Sequence, residues 1–191
     1  DRGRAVIQYP YKIGIIGTVW PQTFCGAKEQ NMEIEVKYKG EEGIDLFAHP
    51  LLAPFLGPLG ETPMSAFYYD TPESGCAQAE SVCTVKGGGM QDGVARRVEI
   101  EEKADTLEQG VQALLNRPDL PESWRESLSG PFQEKARMEF CRLSALFSRE
   151  GLTVELCRDQ GCIRAGGKEA PIDEWELELK KGSEEDFDAL R

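Results

Sequence analysis

From Glu33 to Lys39 the chain alternates charged and apolar side chains without a break (EIEVKYK), and Ile172 to Lys180 (IDEWELELK) repeats the device. A period of two means strand, and a wholly charged face opposite an apolar one means a sheet with one polar and one packed side. In the second run Glu174, Glu176 and Glu178 share a face, with Trp175, Leu177 and Leu179 on the other. Three carboxylates on one strand face repel one another unless cations stand among them.

The cations on hand are Lys37, Lys86, Arg96, Arg97 and Arg142, each on or beside another strand-like segment. A single ExExK strand is ordinarily just a solvated face. Two carboxylate strands with bases on their neighbours suit a metal–polyphosphate complex: the acids hold Mg²⁺ or Mn²⁺, and the bases hold phosphate oxygens.

Ser65–Asp70, Val82–Lys86, Ala95–Glu101 and Leu152–Arg158 read as further strands. Gly87–Gly89 are expected to end the second of these, and Asp159 and Gly161 to turn the last into a hairpin whose other arm is Ile163–Ala165. Asp105–Asn116 is an amphipathic helix capped by Asp105 or Thr106. Ile44–Leu56 has helical apolar spacing split by Pro50 and Pro54, Arg137–Phe147 fits helix or strand, and Ser183 caps a helix that the chain ends before it can bury a face. The fold class is α+β, and the strict alternation favours a closed antiparallel β-barrel with flanking helices.

Composition narrows the function. With 22 bases against 34 acids the net charge is −12, which argues against nucleic acid and anionic membrane surfaces as general partners. Six cysteines without a CxxC pair, and one histidine, read as free thiols of a cytoplasmic protein rather than a zinc site or disulfide framework. The apolar run Tyr11–Trp20 is too short to span a bilayer and has no clear cleavage site after it. Residues 1–31 lack any sustained period, and Met32 directly precedes the first strand. They are expected to be a non-native or disordered extension, with 32–191 as one domain, incomplete at its C-terminus.

The motifs in chain order resemble the CYTH family, the triphosphate tunnel metalloenzymes. Glu33-Ile34-Glu35-Val36-Lys37 is similar to the family's N-terminal ExExK signature, and Tyr68-Tyr69-Asp70-Thr71-Pro72 to its YYDTP. Thr84-Val85-Lys86 resembles the strand bearing a phosphate-binding lysine, and Arg97-x-Glu99-x-Glu101 the next strand. Glu139-Phe140-x-Arg142, Val154-Glu155 with Asp159-x-Gly161, and Glu174-x-Glu176-x-Glu178 complete the series, which is nearest to the bacterial inorganic triphosphatases.

The resemblance implies an eight-stranded tunnel in which a metal-activated water hydrolyses a triphosphate, most readily inorganic triphosphate. It implies Glu33, Glu35, Glu99, Glu176 and Glu178 as ligands of Mg²⁺ or Mn²⁺. It implies Lys37, Lys86, Arg97 and Arg142 as phosphate-binding, and Glu35, Lys37 and Glu176 as catalytic. Thiamine triphosphate hydrolysis and cyclisation of ATP use the same tunnel in that family. One departure stands out: residues 73–81 contain no Lys or Arg where the family has a strand of the form LRxRR. A missing strand would leave an open edge, and the family's late helix beyond Gly182 is missing too. The non-catalytic alternative is therefore a polyphosphate or nucleotide binding module.

Overall fold

The computed structural model describes residues 32–70, 75–79, 82–128 and 131–191. The expected extension 1–31 lies outside them.

Eight strands make up one antiparallel sheet among the described residues: β1 (Met32–Lys39), β2 (Gly60–Asp70), β3 (Gly75–Ala79), β4 (Val82–Gln91), β5 (Val94–Lys103), β6 (Gln133–Arg149), β7 (Leu152–Ala165) and β8 (Lys168–Lys181). Their order is β1-β5-β4-β3-β2-β6-β7-β8, and β8 pairs with β1, so the sheet curls into a barrel-like body. Three helices accompany it: α1 (Leu107–Leu115), α2 (Glu122–Ser127) and α3 (Glu184–Leu190).

The apolar core lies on the outer face of this sheet. Val36, Val94, Phe147, Val154, Leu156, Trp175 and Leu177 pack under Phe187 of α3, joined by Leu46, Phe47, Leu52 and Leu56 of the β1–β2 connection. Phe47 meets Trp175 edge to face at 5.0 Å between ring centroids. On the β4–β5 side, Cys83, Val85 and Ile100 pack under Val111 and Leu114 of α1. Thr106 caps that helix by accepting a hydrogen bond from the Gln109 N–H. Because side chains alternate, burying Val36 and Leu177 outside turns Glu35, Lys37, Glu176 and Glu178 inward.

Several expectations change. The region with no base, 73–81, contains β3, which pairs with β2 and β4, so the strand thought to be missing is in place. β4 runs through Gly87–Gly89 because β5 supplies continuous partners from Val98 to Arg96, and the turn comes at Asp92–Gly93, both at positive φ. β7 likewise runs through Asp159 and Gly161 as one strand, and its hairpin turn is Gly166–Gly167. Gly161 is needed for close approach rather than for a turn, since a Cβ there would lie 2.1 Å from the Glu139 carbonyl oxygen. The segment Arg137–Phe147 is strand throughout, inside β6. Ile44–Leu56 forms only a 3₁₀ turn at Ala53–Phe55, as its two prolines dictate. α3 does bury a face: Phe187 is fully enclosed, and Ser183 accepts the Asp186 N–H as its cap.

Candidate functional site

Each carboxylate and base to which the resemblance gave a metal, phosphate or catalytic role lies on the inward face, whereas Glu139 of the resembled motif lies on the other face and pairs with Arg164. Glu33, Glu35 and Lys37 come from β1, Lys86 from β4, Arg97 and Glu99 from β5, Arg142 from β6, and Glu176 and Glu178 from β8. Register then decides who meets whom. Lys37 pairs in the ladder with Glu176, and its Nζ lies 2.5 Å from Glu176 and 3.5 Å from Glu174. Lys86 bridges Glu99 at 2.8 Å and Glu33 at 3.2 Å, reaching over β5 to the latter. Arg97 donates to Glu35. Arg142 donates from Nε and Nη2 to both oxygens of Asp159 at 2.7 Å, and reaches Glu176 at 3.2 Å. Lys180 bridges Glu178 and Glu155.

Arg96, one of the bases drawn from the pattern, points outward and pairs with Glu184 of α3 at 2.5 Å. Val98 and Ile100, two and four residues further along the same strand, are on the packed side, so alternation sends it away from the lumen.

Burial and mutual charge set the protonation of the site. Burial raises Glu176, but Lys37 and Arg142 outweigh it and hold the carboxyl down at about 2. Lys37 moves the opposite way: burial opposes its charge, and Glu176, Glu35 and Glu174 more than restore it, so it titrates above the ordinary lysine value. Glu99 is pushed up to about 8 by burial and by its hydrogen bond with Glu33. Burial also raises Glu33, yet that same hydrogen bond and Lys86 bring it below the ordinary value. Glu33 and Glu99 thus share one proton, with Lys86 between them. Burial raises Glu35, Asp159 and Glu178. The inward Cys157 rises to about 12, first by burial, and is a thiol rather than a nucleophilic thiolate.

Asp159 is the residue that sequence reasoning missed. Its Asp-x-Gly setting signals a turn, but it stands in mid-strand, 2% exposed. Among the described residues, Asp159, Glu174 and Glu176 form a group of three in which each offers one carboxylate oxygen within 4.8 Å of the other two, so they could hold a metal ion. This trio shares only Glu176 with the metal ligands that the resemblance implied. The donors are oxygen only, the chemistry of a hard cation. The described cysteines 141, 157 and 162 are free. No helix is long and apolar enough to cross a membrane.

Compared with protein-family models and with curated proteins, the chain matches none.

Proposed function

We propose that this chain is a triphosphate tunnel enzyme that hydrolyses inorganic triphosphate to diphosphate and phosphate with Mg²⁺ or Mn²⁺. The observation that carries the reading is the convergence of Lys37, Lys86, Arg97 and Arg142 on the same enclosed face as Glu33, Glu35, Asp159, Glu174 and Glu176. A polyanion needs the bases; a divalent cation needs the acids.

Asp159, Glu174 and Glu176 would hold the cation, with Glu33, Glu35, Glu99 and Glu178 as the further carboxylates of the same lumen. The cation supplies charge neutralisation and lowers the pKa of a bound water. The protein's own part is electrostatic. Lys37 and Arg142 are engaged with Glu176, and Lys86 with Glu33 and Glu99, so binding exchanges carboxylate partners for phosphate oxygens. Held there, the bases offset charge as water attacks the terminal phosphorus and the bridging P–O bond breaks toward diphosphate. No covalent nucleophile is required.

Phosphate release from tripolyphosphate, with and without Mg²⁺, tests the reading; metal-dependent release is expected. A second reading, capture without turnover, draws on the absence of Lys and Arg from 73–81, which deprives one wall of positive charge. Binding of tripolyphosphate without release decides for it, and neither binding nor release leaves an acidic domain with no such site. Thiamine triphosphate and ATP assayed in parallel separate the other activities of the resembled family.

A further inference from the structure

Lys39 ends β1 and has no task in the mechanism above. Alternation turns it the same way as Glu35 and Lys37, toward the lumen. Register places it more closely. Lys39 pairs with Glu174, Glu174 with Asp159 and Asp159 with Arg142, so β1, β8, β7 and β6 bring these four residues into one row. Directly opposed side chains on paired strands stand with their Cβ atoms about 4.5–5.5 Å apart. Two of the three carboxylates that could hold a metal ion therefore lie between Arg142 on one side and Lys39 on the other; the third, Glu176, is in the next row, opposite Lys37.

The bases of the lumen are not equally available to an anion. Lys37, Lys86, Arg97, Arg142 and Lys180 are each paired with a carboxylate, which a phosphate group must displace. Lys39 and Lys103, on the inward faces of β1 and β5, form no ion pair among the described residues. These two differ in place. Lys39 stands beside Glu174, whereas Lys103 ends β5, which runs antiparallel to β1 from Ala95 opposite Glu35 and so finishes at the other mouth of the barrel. An ammonium carries three donors and no acceptor. Lys39, exposed in the row of the carboxylates, gains a phosphate contact without giving up another partner.

The geometry points to Lys39 as a further phosphate-binding residue, donating to a non-bridging oxygen of a triphosphate whose cation sits on Asp159, Glu174 and Glu176. The inference rests on the triphosphate reading and adds to it a base that no carboxylate has to release. The sign of its charge gives the role a signature. Beside the carboxylates Lys39 opposes a bare cation and favours a cation that arrives with a polyanion.

The test is calorimetric titration of imidotriphosphate, whose bridging nitrogens resist hydrolysis, in the presence of Mg²⁺. Lys39→Met is expected to bind about ten-fold more weakly at low salt, as befits a hydrogen bond between charged groups, and the gap to narrow in added NaCl. Lys39→Arg, which keeps the charge, retains most of the affinity, and Lys103→Met, which removes the same charge at the other mouth, binds as the wild type does. Mn²⁺ alone, followed by electron paramagnetic resonance, binds to Lys39→Met at least as tightly as to the wild type, which also shows the site intact. Wild-type affinity for imidotriphosphate in Lys39→Met overturns the inference and leaves the triphosphate reading standing. So does an equal loss in Lys103→Met, a Lys39→Arg no better than Lys39→Met, or an equal loss of Mn²⁺ alone. No binding of imidotriphosphate by the wild type overturns the reading, and the inference with it.

Discussion

Lys37 holds Glu176 and Glu174 together at the middle of the lumen, and Arg97 holds Glu35 beside them. Removing one member of this group leaves an uncompensated charge in the proposed triphosphate site. Glu35→Gln and Lys37→Ala are each expected to lower phosphate release at least about 100-fold, with the far-ultraviolet circular dichroism unchanged; wild-type rate in either removes that residue from the mechanism. The shared proton of Glu33 and Glu99 gives a second prediction. With Glu99 raised to about 8 from an ordinary 4.5, the folded chain keeps a proton that the unfolded chain releases. Its contribution to stability is therefore full below pH 4.5 and lost as pH rises toward 8. Glu176, held at about 2, works oppositely and loses its contribution as pH falls from 4.5 toward 2. In EDTA, the urea midpoint is expected to fall between pH 5 and 8, and Glu99→Gln to flatten that slope; an unaltered slope removes Glu99 as its source. Legibility at this scale follows from period two. Arg97 is separated from Arg96 because Glu99 and Glu101 share its face while Val98 and Ile100 share the other. Asp159 is illegible, because Asp-x-Gly imitates a turn and only the partners on β6 and β8 show that the strand continues.

α1 and α3 pack on the outside of the sheet, and the contacts of each can be tested singly. Gly110 of α1 lies against β4 so closely that an added Cβ would be 2.2 Å from the Cys83 Cβ. Gly110→Ala is expected to lift α1 off β4 and to cost about 1–3 kcal/mol in urea unfolding. A neutral or stabilising outcome, as helix propensity alone would give, excludes that close approach. Phe187 anchors α3, and Phe187→Ala should cost about 3–5 kcal/mol, against about 1 kcal/mol for loss of the cap in Ser183→Ala. The cap of α3 is visible in Ser183 and its acids, but its anchorage is not, because Phe187 is buried in one cluster with Val36, Val154 and Trp175, which come from three different strands. Elements also end where pairing ends. Gly87–Gly89 look like a break, yet ladder partners on β5 outweigh their weak strand preference.

At the scale of the molecule, the barrel-like sheet is packed on its outside and charged within, the reverse of a small barrel filled with apolar side chains. A lumen with this excess of carboxylate gains from a cation. Mg²⁺ or Mn²⁺ is expected to raise the thermal midpoint beyond NaCl of equal ionic strength, the gain in unfolding free energy being about 2.7 kcal/mol at a hundred times its dissociation constant, and EDTA to reverse the gain. Equal effects of both salts leave only screening. The sequence by itself determined that there would be strands with one charged and one apolar face, and which side chains share each face, because alternation is a property of the local backbone. Only the tertiary structure decided which charges meet. Lys37 with Glu176 and Arg142 with Asp159 depend on strand order and register, which are set by pairing between residues as distant in the chain as Glu35 and Glu178.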